Sequence, residues 1–202
     1  MTLEEGASAL GLHLSAEQTA RLDRHLRLLI EWNRRMNLVA HAPPERIVED
    51  HFLDSLLLLV MARPAWGWRV ADIGSGAGFA GLVWAAVRAD LCVTLIEGRQ
   101  KRAAFLERVL LETDIHNAQV VARRAEDLRG DPDHGAAYDM AAARAVARWA
   151  RVVGLAVPLL RPGGTVFVAL PPDATPPAAK IVQMPVPWAP GRMRRAATWR
   201  VP

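Results

Sequence analysis

The run Asp72-Ile73-Gly74-Ser75-Gly76-Ala77-Gly78 sets a carboxylate ahead of three glycines at every second position. Glycines so spaced let the backbone approach a ligand closely and adopt positive φ. The run stands where an apolar stretch, Trp68 to Ile73, gives way to a helical pattern, Phe79 to Val87. Such strand-to-helix turns are where α/β proteins hold nucleotide-like ligands. The dinucleotide fingerprint is G-x-G-x-x-G, whereas this loop reads G-x-G-x-G with Phe79 where the last glycine would stand. That spacing favours S-adenosylmethionine over NAD.

Glu97 follows Gly74 by 23 residues, at the end of the next apolar stretch. A carboxylate there can accept both hydroxyls of an adenosine ribose. Arg123-Arg124-Ala125-Glu126-Asp127 ends a third stretch, where backbone groups and a side chain can reach an adenine ring. His51 and Asp54 lie one helical turn apart and could face one pocket, or could fix a helix on the sheet by a polar contact. Asn37 reads equally as a helix cap and as a site residue. Trp66, Trp68 and Trp84 read as core.

The elements that must position these groups follow from periodicity. Ser15-Ala16-Glu17-Gln18 is a capping box, and Leu22, Leu26, Leu29 and Asn33 recur behind it at helical spacing, so the chain opens with an amphipathic helix. A second helix is expected from Pro43-Pro44-Glu45 through Ile47 and Phe52 to about Met61. From Trp68 onward strands and helices alternate: Arg69–Ile73, Phe79–Val87, Cys92–Glu97, Arg99–Glu112, Gln119–Ala122, Tyr138–Ala143, Ala147–Leu160 and Thr165–Leu170. Leu160-Arg161-Pro162-Gly163-Gly164 reads as a tight turn. After Pro171, Pro172, Pro176 and Pro177, two closing strands are expected at Ile181–Val186 and Met193–Val201. The pattern predicts an α/β doubly wound, mostly parallel, Rossmann-like sheet with an N-terminal helical extension. One domain over 1–202 is expected, with the extension over 1–66 and the cofactor-binding sheet over 67–202.

The 202 residues are 51% apolar, enough for one core. The N-terminus carries Glu4 and Glu5 rather than an apolar signal, and the longest apolar run, Leu56 to Ala62, is too short to span a membrane. The chain is therefore read as cytoplasmic; a monomer is expected. The single cysteine, Cys92, is read as a packed thiol in a buried strand. The six histidines show no metal-ligand spacing, so no metal is expected. Charge is unevenly distributed: nine basic residues after position 140 (Arg144, Arg148, Arg151, Arg161, Lys180, Arg192, Arg194, Arg195, Arg200) face one acid, Asp173, giving +8 there against −4 on the first 140 residues. Such a bias fits an RNA-facing surface.

A family resemblance rests on Trp32-Asn33 with Asn37-Leu38, His51-Phe52-Leu53-Asp54-Ser55-Leu56, Asp72 to Gly81 with its Gly-Phe-Ala-Gly-Leu tail, Lys101-Arg102-Ala103-Ala104-Phe105-Leu106, Arg124-Ala125-Glu126 and Ala143-Arg144-Ala145. Together they resemble the ribosomal RNA small subunit methyltransferase G family, also called glucose-inhibited division protein B. The resemblance implies a class I methyltransferase moving the methyl of S-adenosylmethionine to guanine N7 in 16S ribosomal RNA, free or in the small subunit, with S-adenosylhomocysteine as product. It implies cofactor contacts at Gly74, Phe79, Ala125, Glu126 and Arg144. Asp72, Gly76, Gly78 and Glu97 join them from the residue reading, and Arg144, His51, Asp54 and Asn37 are the expected catalytic group. A fork from Arg144 to guanine O6 is one expected contact, and attraction of the cationic sulfonium by Asp72 is another.

The chain departs from the family where an Ala-Leu-Lys-Gly motif is usual, reading Ala169-Leu170-Pro171-Pro172. Ala80 also replaces a usual proline. Three alternatives stay open: a donor- and RNA-binding member with weak or no turnover, a small-molecule methyltransferase, and an NAD-linked oxidoreductase.

Overall fold

The structure, a computed structural model, describes residues 1–144 and 149–202. Ala145 of the last motif, the expected helix start at Ala147 and the charge of Arg148 lie outside the described residues.

A seven-stranded sheet has the order β3-β2-β1-β4-β5-β7-β6, built from β1 (Arg69–Ile73), β2 (Cys92–Ile96), β3 (Ala118–Val121), β4 (Tyr138–Ala143), β5 (Leu160–Leu170), β6 (Lys180–Pro185) and β7 (Met193–Arg200). The first five strands are parallel, and β7 runs antiparallel between β5 and β6. Strand order reverses between β1 and β4, and open α/β sheets bind ligands at the carboxyl ends of strands beside such a reversal. Asp72 in β1 and Arg144, just past β4, are therefore placed at the switch point by topology alone.

One face of the sheet carries α2 (Ala16–Met36), α4 (Asp54–Ala62), α5 (Gly81–Val87) and α6 (Gln100–Thr113), whose Leu22, Leu29, Leu56, Trp84, Phe105 and Leu106 share one buried core. The other face carries α7 (Trp149–Ala156), through Val152 and Ala156. Helix α2 starts where its capping box requires, with Gln18 N–H donating to Ser15 Oγ at 3.2 Å and Ser15 N–H to Gln18 Oε1 at 2.8 Å. It is not the first helix. α1 (Leu3–Ala9) precedes it with its own capping box, Thr2 with Glu5, and is too short to show a 3.6-residue period.

The expected second helix is interrupted. α3 (Pro44–Ile47) passes into a π-helical turn, Val48–Leu53, before α4. Such turns leave carbonyls without their usual i+4 partners and recur at functional sites. Four other expectations are corrected. Cys92 is exposed, because it begins β2 rather than lying within it. Trp66 is 85% exposed and Trp68 half-buried, as both precede β1; Trp84 alone is core, its Nε1–H donating to Ser55 O at 2.9 Å. The turn at Leu160–Gly164 is instead an irregular start to β5, where the β4 register slips and Gly163 takes φ +76°. The helix expected to reach Leu160 ends at Ala156, followed by a 3₁₀ turn containing Pro158.

Candidate functional site

The glycine loop closes on the ends of β1 and β2. Gly74, Gly76 and Gly78 have φ of +72°, +59° and +88°, which only glycine adopts cheaply. The Gly74 and Ser75 N–H groups donate to Ile96 O at 2.9 and 3.2 Å. A Cβ on Gly74 would meet nothing within 4 Å, so the space above the loop is open. Glu97, 6% exposed, accepts the Gly76 N–H at 3.0 Å on one oxygen and the Arg99 N–H at 2.8 Å on the other. An ionised carboxylate has about four acceptor positions, so two remain.

Asp72 lies beneath the loop rather than on the cavity wall. It is 1% exposed, and its Oδ2 accepts the Gly81 N–H at 3.0 Å. Burial pushes its pKa up to about 7. A Cβ on Gly81 would stand 2.6 Å from the Asp72 Cβ, so a small residue there is what lets the carboxylate sit under the helix.

The loop is supported from below by a residue that motif reading missed. His25, fully buried on α2, bonds through Nε2 to Ala77 O at 2.8 Å and stacks on Phe79 at 5.6 Å. A carbonyl only accepts, so Nε2 carries the proton; burial lowers the pKa to about 4 and keeps the ring neutral. Its place three residues after Leu22 and four before Leu29 was the available signal.

Arg144 forms the partition of the site. Its side chain is 11% exposed and Nε lies 3.0 Å from Asp54 Oδ2. Nη1 donates to His51 O at 3.1 Å and Ser55 Oγ at 3.2 Å; Nη2 donates to Asp50 O and to His51 Nδ1 at 3.2 Å. Two of these acceptors are carbonyls of the π-helical turn. Both terminal nitrogens are thus engaged by acceptors while Nε is ion-paired with Asp54, and a fork to a guanine edge would require breaking those bonds. The expected O6 contact is not what this arrangement offers. Because arginine only donates, His51 Nδ1 accepts and the ring proton is on Nε2. Burial and then Arg144 lower the His51 pKa to about 4, and its ring stacks on Phe79 at 4.7 Å and 15°. His51 and Asp54 do not face one pocket: His51 lines the pocket over the glycine loop and Asp54 the cleft on the other side of Arg144, and both tie the helices to the sheet through that arginine.

On one side of Arg144, Leu38, Val39, His51, Phe79 and the glycine loop enclose a pocket. On the other lies a cleft of ≈ 630 Å³ between the π-helical turn, the end of β5 and the β6–β7 hairpin, lined by Glu49, Asp50, Asp54, Trp149, Trp188 and Arg194 among others. Arg194, from β7, places Nε 2.8 Å from the second Asp54 oxygen and donates through Nη1 to Leu170 O at 2.9 Å. It brings a cation beside the Pro171-Pro172 segment, where no lysine stands.

The remaining expectations divide. Ala125 is buried at the head of a 3₁₀ turn after β3, and Glu126 next to it pairs with Arg151 at 2.7 Å. Asn37 is the exposed left-handed C-cap of α2, with φ +49°, so the structure gives it the capping role. Ser55 and Gly81 were inside quoted motifs without a role. Among the described residues there is no group of three or more potential metal ligands, and no helix long and apolar enough to cross a membrane.

Comparison with known proteins agrees with this geometry. The family model described as rRNA small subunit methyltransferase G matches residues 18–170. A relative of that name from Symbiobacterium thermophilum is 40% identical over 173 residues, covering 83% of this chain and 70% of its own length. One from Sorangium cellulosum is 42% identical, covering 81% and 69%; one from Desulfitobacterium hafniense is 39% identical, covering 79% and 66%. The chain thus spans about two thirds of the length of these relatives. Among solved structures, a predicted O-methyltransferase from Agrobacterium tumefaciens superposes with TM-score 0.55 at 22% identity, covering 71% of this chain and 79% of its own. The [4+2]-cyclase SpnF superposes equally well, with TM-score 0.55 at 20% identity, covering 76% and 60%. The shared fold therefore does not by itself fix the reaction.

Proposed function

The chain belongs to the ribosomal RNA small subunit methyltransferase G family, and from that premise we propose that it transfers the methyl of S-adenosylmethionine to N7 of a guanine in 16S ribosomal RNA. The observation that carries this reading is the open, left-handed glycine loop at the sheet's switch point, flanked by Glu97 with two acceptor positions to spare. The donor supplies an electrophilic methyl on a sulfonium.

The protein's own residues do the rest. Backbone at Gly74, Gly76 and Gly78 lets the donor approach closely, Glu97 accepts its ribose hydroxyls, and Ala125 with Glu126 border its adenine. Phe79 and His51 form an aromatic wall beside the methionyl portion. Asp72 acts through space, its carboxylate ionising when a cation is bound above the loop. Guanine N7 has a lone pair and no proton, so no general base is required and the neutral His51 removes none. As the N7–CH₃ bond forms, the S–CH₃ bond breaks, sulfur keeps the electron pair, and the positive charge moves to the base. Catalysis is then alignment of N7, carbon and sulfur. Arg144 holds the π-helical turn in register for that alignment, as a positioning residue.

We read residues 1–66 as the helical wall of this site and 67–202 as the sheet that carries the donor, one functional unit acting on 16S RNA or the small subunit. Incubation of the full chain with methyl-labelled donor and small subunits from a strain lacking this modification tests the proposal. Label in 16S RNA is expected. Donor binding without any transfer would leave a silent RNA-binding member, and transfer only to small molecules would refute the RNA assignment.

A further inference from the structure

Sequence charge places the basic surface in the last 62 residues, but the structure uses most of those cations internally. Arg144 and Arg194 hold Asp54, Arg151 holds Glu126 and Arg161 holds Asp139. Arg195 and Arg200 donate to the carbonyls of Pro172 and Gly163. A second group behaves oppositely. Arg34 and Arg35 at the end of α2, with Arg99, Lys101 and Arg102 at the start of α6, make no side-chain hydrogen bond or ion pair with any described residue. Four of the five are exposed and Arg102 is half-buried.

These cations converge. Arg35, Arg99, Lys101 and Arg102 line one cleft of ≈ 440 Å³, with Arg34 and Arg35 on the adjoining one. Arg102 also lines the pocket over the glycine loop, its Nη1 3.9 Å from where a Gly76 Cβ would be. Like charges crowded together repel, so the arrangement is stable in full only when anions fill it. We propose that this α2–α6 surface binds the phosphate backbone of the RNA substrate and leads it to the mouth of the donor pocket. The proposal rests on the RNA methyltransferase reading and adds where the strand runs: along the N-terminal helices rather than the late arginines. Phosphates spaced along one strand fit a row of unpaired guanidinium and ammonium groups, each contact releasing counterions.

The test compares the full chain with R35Q/R99Q/K101Q and, as a control, K180Q/R200Q. Binding of purified 16S RNA is measured against salt, with calorimetry for the donor and a thermal melt for folding. The triple variant is expected to bind RNA at least tenfold more weakly near 0.1 M salt, with a log-affinity slope shallower by about 2, and to keep parental donor affinity and melting. The single variant K101Q is expected to lower the slope by less than 1. Parental RNA affinity and slope in the triple variant, or a larger loss in the control, would overturn the surface while leaving the RNA reading standing. No RNA binding by the parent at low salt would overturn both.

Discussion

Asp54 stands between two arginines, its Oδ2 3.0 Å from Arg144 Nε and its Oδ1 2.8 Å from Arg194 Nε. One carboxylate thereby joins the helical wall to β4 and β7, elements far apart in sequence. Of the triad, Arg144 lines both the donor pocket and the larger cleft, while Asp54 and Arg194 line the cleft and hold that arginine in place.

Arg144→Ala removes the partner of two π-turn carbonyls, Ser55 and His51 together with one arm of the triad. A buried pair broken from one side typically costs about 3–5 kcal/mol, and Arg194 still compensates Asp54. A loss near the lower end of that range is expected in urea unfolding, with methyl transfer abolished. Arg144→Lys keeps charge but offers a compact ammonium in place of the fork, so it should recover part of the stability and little of the activity. Equal loss in both variants would contradict a role built on fork geometry.

Arg194 reaches the cleft but makes no contact with the glycine loop. Arg194→Gln should therefore lower the rate of transfer to RNA tenfold or more while donor affinity stays within about twofold. A matched fall in donor affinity would place Arg194 in the wrong half of the site.

Asp72 on one side, and buried His25 with half-buried His51 on the other, give stability opposite pH dependences. The Asp72 pKa rises from 3.8 to about 7 on folding, so between those values the native chain holds a proton the unfolded chain has lost, and stability falls as pH rises. Above pH 7 the cost is complete, on the order of 4 kcal/mol. Asp72→Asn should thus gain melting temperature over the parent progressively from pH 4 to pH 8. Donor affinity should rise with pH through 7 in the parent and stay level in the variant. A pH-independent difference in melting would refute the buried neutral carboxyl.

His25 and His51 fall from 6.5 to about 4 on folding, so the unfolded chain takes up protons first as pH drops, and their contribution is lost between 6.5 and 4. His25→Gln should flatten the acid limb of a urea-midpoint profile while costing stability at pH 7. An acid limb as steep as the parent's would show that His25 does not titrate in that window.

The strand-helix alternation, the sheet's parallel core and the glycine loop were legible because each is written locally: apolar runs of five residues, a capping box, glycines at fixed spacing. Cys92 was misplaced because position within an apolar run does not tell a strand's first residue from its second, and Trp66 because residue type alone does not tell a core tryptophan from one in the turn before a strand. The role of Arg144 was only half visible. Its motif pointed to the site, but four acceptors drawn from Asp50, His51 and Ser55, and the ion pair with Asp54, meet it only once a π-helical turn, which has no local signature, turns its carbonyls toward the end of β4. The late charge bias overstates the number of unpaired cations for a related reason: summed charge counts arginines without their partners, and pairing is a tertiary fact.

The most direct test of the central claim is identification of the modified nucleoside. Small subunits lacking the modification are treated with the full chain and labelled donor, and 16S RNA is digested and resolved by mass spectrometry, with N7 located by chemical cleavage at the alkylated guanine. Label is predicted in 7-methylguanosine at one position, and lost in Gly76→Val, whose side chain intrudes on the donor. Label in another nucleoside, at another atom, or absent from RNA despite donor binding would contradict the account.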